Sequence, residues 1–247
     1  NSGGWRITLL AMSCIMTIVL IPLLLHKERQ VKSNTKVKSA SANNYLKSLT
    51  DFSRRPQMWR WLLILAVYPI APYMASTMFR PLLVDIGLSL TDIGLLVGGV
   101  SYTSGLLGAV LSGVLISTIG RRRSLIIFSS LEVAALSLYL LPAFGLIDSS
   151  ILYLVAIVTQ FGLGMLRTVI YTLMMDKSNI ATAGTDYTIQ TSIPYFSAII
   201  AAVLSGMTAK TIGYSGLFAI CILIGVVNVI IIFKAFVNTE EQQQITQ

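Results

Sequence analysis

Arg167 lies inside a long apolar stretch of the sequence, where an ionisable side chain is a candidate for function. It shares a helical face with Gln160, Gly164 and Tyr171, because residues three or four positions apart lie on the same side of a helix. A guanidinium at this depth has to face protein or a water-filled cavity, where it could bind an anionic or chelating group of a solute. The alternative is a structural ion pair, with Glu132 or with a residue of another bundle.

Arg80 marks a second candidate face. Tyr73, Ser76 and Arg80 follow Pro69 at spacings of four, three and four residues. Pro69 and Pro72 remove backbone donors in the middle of this apolar stretch, so we expect the helix to bend there. Broken helices near the centre of a membrane often form binding sites in carriers. The alternative is that Arg80, near the end of its stretch, only reaches out to the membrane surface.

Glu132 is the third ionisable group, near the centre of its apolar stretch. A carboxyl group without a partner favours its neutral form there, which makes Glu132 a candidate for proton coupling. A hydrogen-bonded structural acid is the alternative. His26 is the single histidine and lies at the edge of a stretch, which excludes an intramembrane Ser-His dyad and a His-rich metal site. We expect no enzyme activity, no metal and no cofactor.

The elements that carry these residues are seven apolar stretches, each long enough to cross about 30 Å of hydrocarbon as a helix. Hydrophobic residues make up 55% of the chain and charged residues 11%, which is typical of an all-α integral membrane protein. The net charge of +8 does not indicate nucleic acid, because half of the basic residues lie in one connecting segment. The predicted transmembrane helices are 7–25, 61–83, 93–116, 124–144, 150–175, 187–209 and 214–236.

The basic residues also predict the orientation. Lys and Arg are abundant in segment 26–60 and at 121–123, whereas connections 84–92 and 145–149 have neither. Short loops rich in Lys and Arg stay in the cytoplasm, so we expect the amino end outside and the carboxyl end inside. The predicted organisation is one helix (1–25), a cytoplasmic linker (26–60), a six-helix bundle (61–236) and a cytoplasmic tail (237–247).

Two series of small residues recur every four positions and predict close helix packing in lipid. They could pack within the bundle or form an interface with another bundle. The first series is Ser101, Gly105, Ala109 and Gly113, and the second is Ser197, Ala201, Ser205 and Ala209.

The segment from Gly113 to Leu125, GVLISTIGRRRSL, joins two predicted helices on the basic side. It resembles the loop signature of the major facilitator superfamily, a glycine-rich turn followed by Gly-Arg-Arg, although Ser117 stands where that family often has Asp. The resemblance implies a cytoplasmic gate at Gly113, Gly120, Arg121 and Arg122. Asp176 and Asp186, which flank the next loop on this side, could pair with these arginines.

The stretches Phe79–Ser89 and Tyr171–Gln190 are similar to the muropeptide and acetyl-CoA permease branch of that superfamily, and more closely to the related single-component siderophore permeases. The resemblance implies the sixth to twelfth helices of a twelve-helix fold, with the N-terminal helices missing. It also implies a secondary active transporter that moves a small polar or anionic solute across the inner membrane by alternating access, with siderophore uptake as the expected activity. The alternatives are a muropeptide or acetyl-CoA permease and, from another class, a seven-helix receptor or a non-transporting membrane subunit.

Overall fold

The computed structural model describes residues 2–25 and 58–245, and the regular elements in both ranges are helices. Helix α1, Ser2–Leu25, belongs to a separate unit of the chain and includes the apolar helix Leu9–Pro22. The predicted linker 26–60 lies outside the described residues up to position 57. Within the described residues, the second unit begins with a helix at Met58, three residues before the predicted start of the bundle.

The second unit is a bundle of long apolar helices joined by short turns. Five helical runs within the described residues have the length and composition to cross a membrane. The predicted stretches 187–209 and 214–236 both fall within the last run, so the count of seven crossings stays a prediction. The elements are α2 Met58–Val67, α3 Ile70–Asp85, α4 Leu90–Ile93, a π-helical segment Gly94–Ser101, α5 Tyr102–Ile119, α6 Arg121–Ser137, α7 Leu140–Ala143, α8 Ser149–Lys177, a 3₁₀ turn Ile180–Thr182 and α9 Ala183–Ile245.

Single residues interrupt these helices. Gly120 alone separates α5 from α6, at φ 88° and ψ 149°, and Gly213 bends α9 at φ 73° and ψ 176°. A side chain would be strained in both conformations, because positive φ brings a Cβ against the backbone. Between α2 and α3 the helix breaks at Tyr68 and Pro69, which is the region in which the two prolines predict a bend.

Helices α5 and α8 cross with their backbones in contact. A Cβ at Gly108 would overlap the Phe161 carbonyl oxygen, and one at Gly164 would overlap the Gly105 carbonyl oxygen. Hydroxyl groups then cross the same interface: Ser104 donates to the Ile157 carbonyl at 2.8 Å, and Ser112 donates to the Met165 carbonyl at 3.0 Å. Small residues permit this approach, and the hydrogen bonds stabilise it in a solvent that offers no alternative partner.

Two apolar clusters fill the bundle. We call the end formed by Met58 and the turns at 120 and 178–182 the basic end, and the end at Asp85 and Gly213 the opposite end. The cluster toward the basic end includes Trp61, Phe128, Leu166 and Ile170. The cluster toward the opposite end includes Phe79, Leu83, Tyr139, Val155 and Phe218. Outside them, large apolar side chains point away from the bundle, such as Leu106, Val110, Tyr195, Ile199 and Val203.

Candidate functional site

A cavity of about 390 Å³ lies inside the bundle, between the elements that carry the predicted binding residues. Helices α3 and α8 supply most of its wall, and the π-helical segment, the start of α5 and Tyr139 complete it. This volume is within the range of small-molecule sites. The lining residues are Tyr73, Ser76, Thr77, Phe79, Arg80, Val97, Ser101, Tyr102, Tyr139, Ala156, Thr159, Gln160, Leu163 and Arg167.

The cavity is electropositive. Arg167 is half-buried and Arg80 is exposed, and no carboxylate stands among the described residues that line the cavity with them. The Arg167 Cζ lies 5.3 Å from the centroid of the Tyr73 ring, which holds the guanidinium by a cation–π contact. Gln160 and Ser76 add polar groups that can donate or accept hydrogen bonds. Together these residues can bind an anion with a few additional polar groups.

The break before α3 helps to place this wall. Pro69 and Pro72 are buried and lack the N–H groups that would donate to the Leu65 and Tyr68 carbonyls in a continuous helix. The helix resumes at Ile70, and the Tyr73 N–H donates to the Pro69 carbonyl at 3.0 Å. Tyr73, Ser76 and Arg80 then lie on one side of α3, and all three line the cavity.

The structure brings together five of the six predicted binding residues: Arg167, Gln160, Tyr73, Ser76 and Arg80. Tyr171 is not among the lining residues. It lies one turn further toward the basic end, where its ring packs against the apolar cluster of Trp61 and Ile170. Tyr171 shares a helical face with Arg167, but the cavity ends before it reaches Tyr171.

Several lining residues were not predicted from the sequence. Val97 and Ser101 come from the π-helical segment, whose wider turn is frequent at functional sites. The glycines at 94, 98 and 99 were the available signal for an irregular helix there. Tyr139 stands between Phe79 and Phe218, with ring centroids 5.0 Å and 5.2 Å away, and forms an aromatic wall that only the fold assembles.

Glu132 is buried, with 3% of its surface exposed, and it does not line the cavity. Its Oε2 atom has no hydrogen-bond partner among the described residues. The carboxyl lies against Gly162 of α8, where an added Cβ would be 2.9 Å from Oε2. The absence of a side chain at Gly162 therefore provides the space for this acid.

The predicted gate residues gather at the basic end. Gly113, Gly120, Arg121 and Arg122 line one surface groove. The Arg121 Nε lies 2.8 Å from Asp176 Oδ2 in an ion pair whose side chains are 58% and 33% exposed, so it contributes little to stability by itself. It does tie the α5–α6 turn to the end of α8.

Asp186 has a local role at this end. It is buried and accepts hydrogen bonds from the Asn179 N–H and from the Thr182 hydroxyl, both at 3.0 Å. These bonds hold the turn between α8 and α9. A carboxylate at the start of α9 is also favoured by the helix dipole.

Gln190 joins three helices and was not singled out by sequence reasoning. Its Oε1 accepts from Trp61 Nε1 at 2.7 Å, and its Nε2 donates to the Met174 carbonyl at 3.0 Å and to Ser178 Oγ at 3.1 Å. The Lys177 Nζ lies 5.3 Å from the Trp61 ring centroid. The sequence signal for this role of Gln190 was an amide side chain inside the predicted apolar stretch 187–209.

Long apolar helices with outward-facing hydrophobic side chains around an interior cavity with polar lining residues are typical of a multi-pass membrane protein. The sequence comparison identifies its family. The model of the Major Facilitator Superfamily matches residues 1–192 and, in a second alignment, residues 73–246, so the chain belongs to that superfamily. The two alignments share residues 73–192, as expected for a family whose two halves are structural repeats. Members of this family are transporters. The family match confirms the resemblance to the major facilitator superfamily that the Gly-Arg-Arg loop indicated.

Proposed function

We propose that this chain supplies one bundle of an alternating-access carrier for a small anionic or chelating solute. The observation that carries the proposal is the pair of guanidinium groups, Arg80 and Arg167, in a cavity whose described lining has no carboxylate. Arginine suits this role because it stays charged and can form paired hydrogen bonds to a carboxylate or phosphate. Gln160, Ser76 and Tyr73 then orient the solute.

A second bundle is part of this proposal. Alternating access needs two bundles that rock around a central site. Arg80 is exposed on a bundle that also exposes many large apolar side chains, and a guanidinium facing hydrocarbon is costly. A second bundle would cover it, and by the resemblance α1 is the last helix of that bundle. The proposed topology is seven crossings in the inner membrane, with the amino end outside and the basic end of the bundle in the cytoplasm.

We assign the Arg121–Asp176 pair and the groove around Gly113 and Gly120 to the cytoplasmic gate. The pair joins the α5–α6 turn to α8, which carries Gln160 and Arg167 of the cavity. Breaking it would free these elements to move relative to each other. Because the pair is partly exposed, it can open without the large desolvation cost of a buried ion pair.

A ferric siderophore is the proposed solute, on the similarity of the Phe79–Ser89 and Tyr171–Gln190 stretches to siderophore permeases. Muropeptides and acetyl-CoA also carry anionic groups and are the alternative solutes. The test is the uptake of labelled ferric siderophores, muropeptides and acetyl-CoA by cells that express the carrier. Saturable siderophore uptake supports the assignment, and uptake of another panel member replaces it. Solute binding without accumulation indicates a receptor or a non-transporting subunit instead.

A further inference from the structure

We infer that the π-helical segment Gly94–Ser101 is an adjustable wall of the solute cavity, with a second, α-helical register in which Gly98 takes the place of Val97. The inference rests on the proposed function and names the residues by which the same site selects solutes by size. Val97 and Ser101 of this segment line the cavity. A change of register here therefore changes the room that is available to the solute.

The segment contains an extra residue. A π-helical turn holds one residue more than an α-helical turn, because its hydrogen bonds join residues five positions apart instead of four. The Ser101 hydroxyl follows this spacing and donates to the Leu96 carbonyl, five residues back, at 2.9 Å. The buried hydroxyls of Ser129 and Thr159, in ordinary α-helices, donate four residues back. In the α-helical register Ser101 can donate to the Val97 carbonyl in the same way, so its hydroxyl has a partner in both registers.

The sequence of the segment suits both registers. Loss of the extra residue moves each residue before Ser101 into the place of its predecessor, which is a rotation of about 100° around the helix axis. Val97 then takes the buried place of Leu96, so one apolar side chain replaces another inside the bundle. Gly98 takes the place of Val97 at the cavity, and the cavity gains the volume of a valine side chain.

The surroundings leave room for this movement. Nothing lies within 4 Å of a Cβ at any of the glycines of the segment, so no close contact fixes their side of the helix. The first three residues of α4, which precedes the segment, are exposed. On the other side, the hydrogen bond from Ser104 to the Ile157 carbonyl fixes α5 against α8. The part that rotates is therefore 90–100, and the turn 86–89 at the opposite end takes up the extra residue.

The size of the solute decides between the registers. A ligand shifts such an equilibrium by its different affinity for the two states. A large solute fits only where Val97 has left the cavity wall, so it selects the α-helical register. The empty cavity keeps Leu96 buried and Val97 in the wall, as in the structure. Val97 and Gly98 together set the size of the solute that the carrier accepts.

Single-residue deletions test the extra residue without any solute. Deletion of Gly99 converts the π-helical turn to an α-helical turn and keeps the buried and cavity-lining faces before it, so this variant should melt close to the wild type. Deletion of Ala109, in α5, is the matched control, because it turns the two halves of the face that packs on α8 by about 100° relative to each other. This control should melt far below the wild type or fail to accumulate. A deletion of Gly99 as damaging as that of Ala109 would overturn the inference.

Uptake tests the selection of the solute. The probe is the labelled ferric siderophore, or the panel member that the wild-type carrier accumulates instead. Gly98→Val fills the space that the α-helical register opens, and deletion of Gly99 leaves Val97 in the wall, so each should lower uptake at least about 10-fold by overpacking the site. Gly99→Val is the control, because it makes the same change at an exposed position outside the cavity lining.

Wild-type uptake by Gly98→Val or by the Gly99 deletion, at equal abundance in the membrane, would contradict the inference. The same loss in Gly99→Val as in Gly98→Val would also contradict it, because the effect would then not depend on the cavity. A wild type that accumulates no member of the panel would count against the proposed function instead, while the melting temperatures of the two deletions would still decide whether the segment holds an extra residue.

Discussion

Gly108→Ala should destabilise the bundle, although it adds only one methyl group to a helix. The new Cβ would overlap the Phe161 carbonyl oxygen and would lie 3.0 Å and 3.1 Å from the Phe161 carbonyl carbon and Cα. The neighbour is backbone, so it cannot rotate away, and α5 and α8 have to move apart by roughly 1 Å to restore ordinary contact. Gly113→Ala is the matched control on the same helix, because nothing lies within 4 Å of a Cβ there.

The size of the effect follows from three contributions. Overpacking costs about 1–3 kcal/mol. Separation of the helices also stretches the Ser104–Ile157 and Ser112–Met165 hydrogen bonds, each worth about 0.6 kcal/mol in a membrane. Replacement of glycine by alanine returns about 1 kcal/mol of helix propensity, which Gly113→Ala gains without the overlap. The net expectation is a loss of about 1–3 kcal/mol for Gly108→Ala and a neutral or small favourable change for Gly113→Ala.

Thermal unfolding of both variants in the same detergent and at the same heating rate measures this difference. A change of 1 kcal/mol corresponds to about 2–4 °C in Tm for a chain of this size. Gly108→Ala should therefore melt several degrees below Gly113→Ala. Equal melting temperatures would refute the close α5–α8 crossing, and with it the position of Gln160 and Arg167 relative to Ser101.

Three further outcomes are expected. Gly120→Ala should lower the melting temperature, because φ 88° is strained for any side chain by roughly 1–2 kcal/mol. Gly184→Ala, at a helical position with open space, should leave the melting temperature unchanged. Equal melting temperatures for the two variants would argue against the one-residue turn. Gln190→Leu should cost about 1–3 kcal/mol and change Trp61 fluorescence, since it leaves the buried indole N–H unpaired and removes one of the donors to the Met174 carbonyl. An unchanged spectrum and an unchanged Tm would reject this network. In a background without Cys14 and Cys221, an impermeant thiol reagent applied to intact cells should label Asp148→Cys and not Arg123→Cys, and the reverse pattern would invert the proposed orientation.

The fold could be predicted from the sequence where composition and length decide the outcome. The five membrane-length helical runs of the described residues and the helix Ser2–Leu25 follow from hydrophobicity and the width of a bilayer alone. The packing faces could not be predicted to the residue. Of the predicted series Ser101, Gly105, Ala109 and Gly113, Ser101 is buried and Gly105 lies at the crossing with α8. The buried face of α5 runs through Ser104, Gly108 and Ser112 instead, and Gly113 is exposed. Small residues occupy both series, so only the partner helix decides between them.

The candidate site divides in the same way. Spacing along one helix placed Arg167 with Gln160, and Arg80 with Tyr73 and Ser76. The two faces meet in one cavity because the packing of the bundle brings α3 and α8 to its two sides. The same packing ends the cavity before Tyr171. The buried partners of Gln190 come from α2 and α8, more than ten residues away along the chain. No local pattern reports such distant contacts.

Uptake by Arg167→Ala is the decisive test of the proposed solute site. The paired control is Arg123→Ala, which removes an exposed arginine outside the cavity lining. Loss of a charge-assisted contact worth about 1.5–3 kcal/mol corresponds to a fall of about 10- to 100-fold in the uptake of the labelled solute at low concentration. We expect that fall for Arg167→Ala at wild-type abundance in the membrane, with little recovery in Arg167→Lys and full uptake by Arg123→Ala. Wild-type uptake by Arg167→Ala would contradict it, and a loss of membrane protein in that variant alone would assign Arg167 to a structural ion pair.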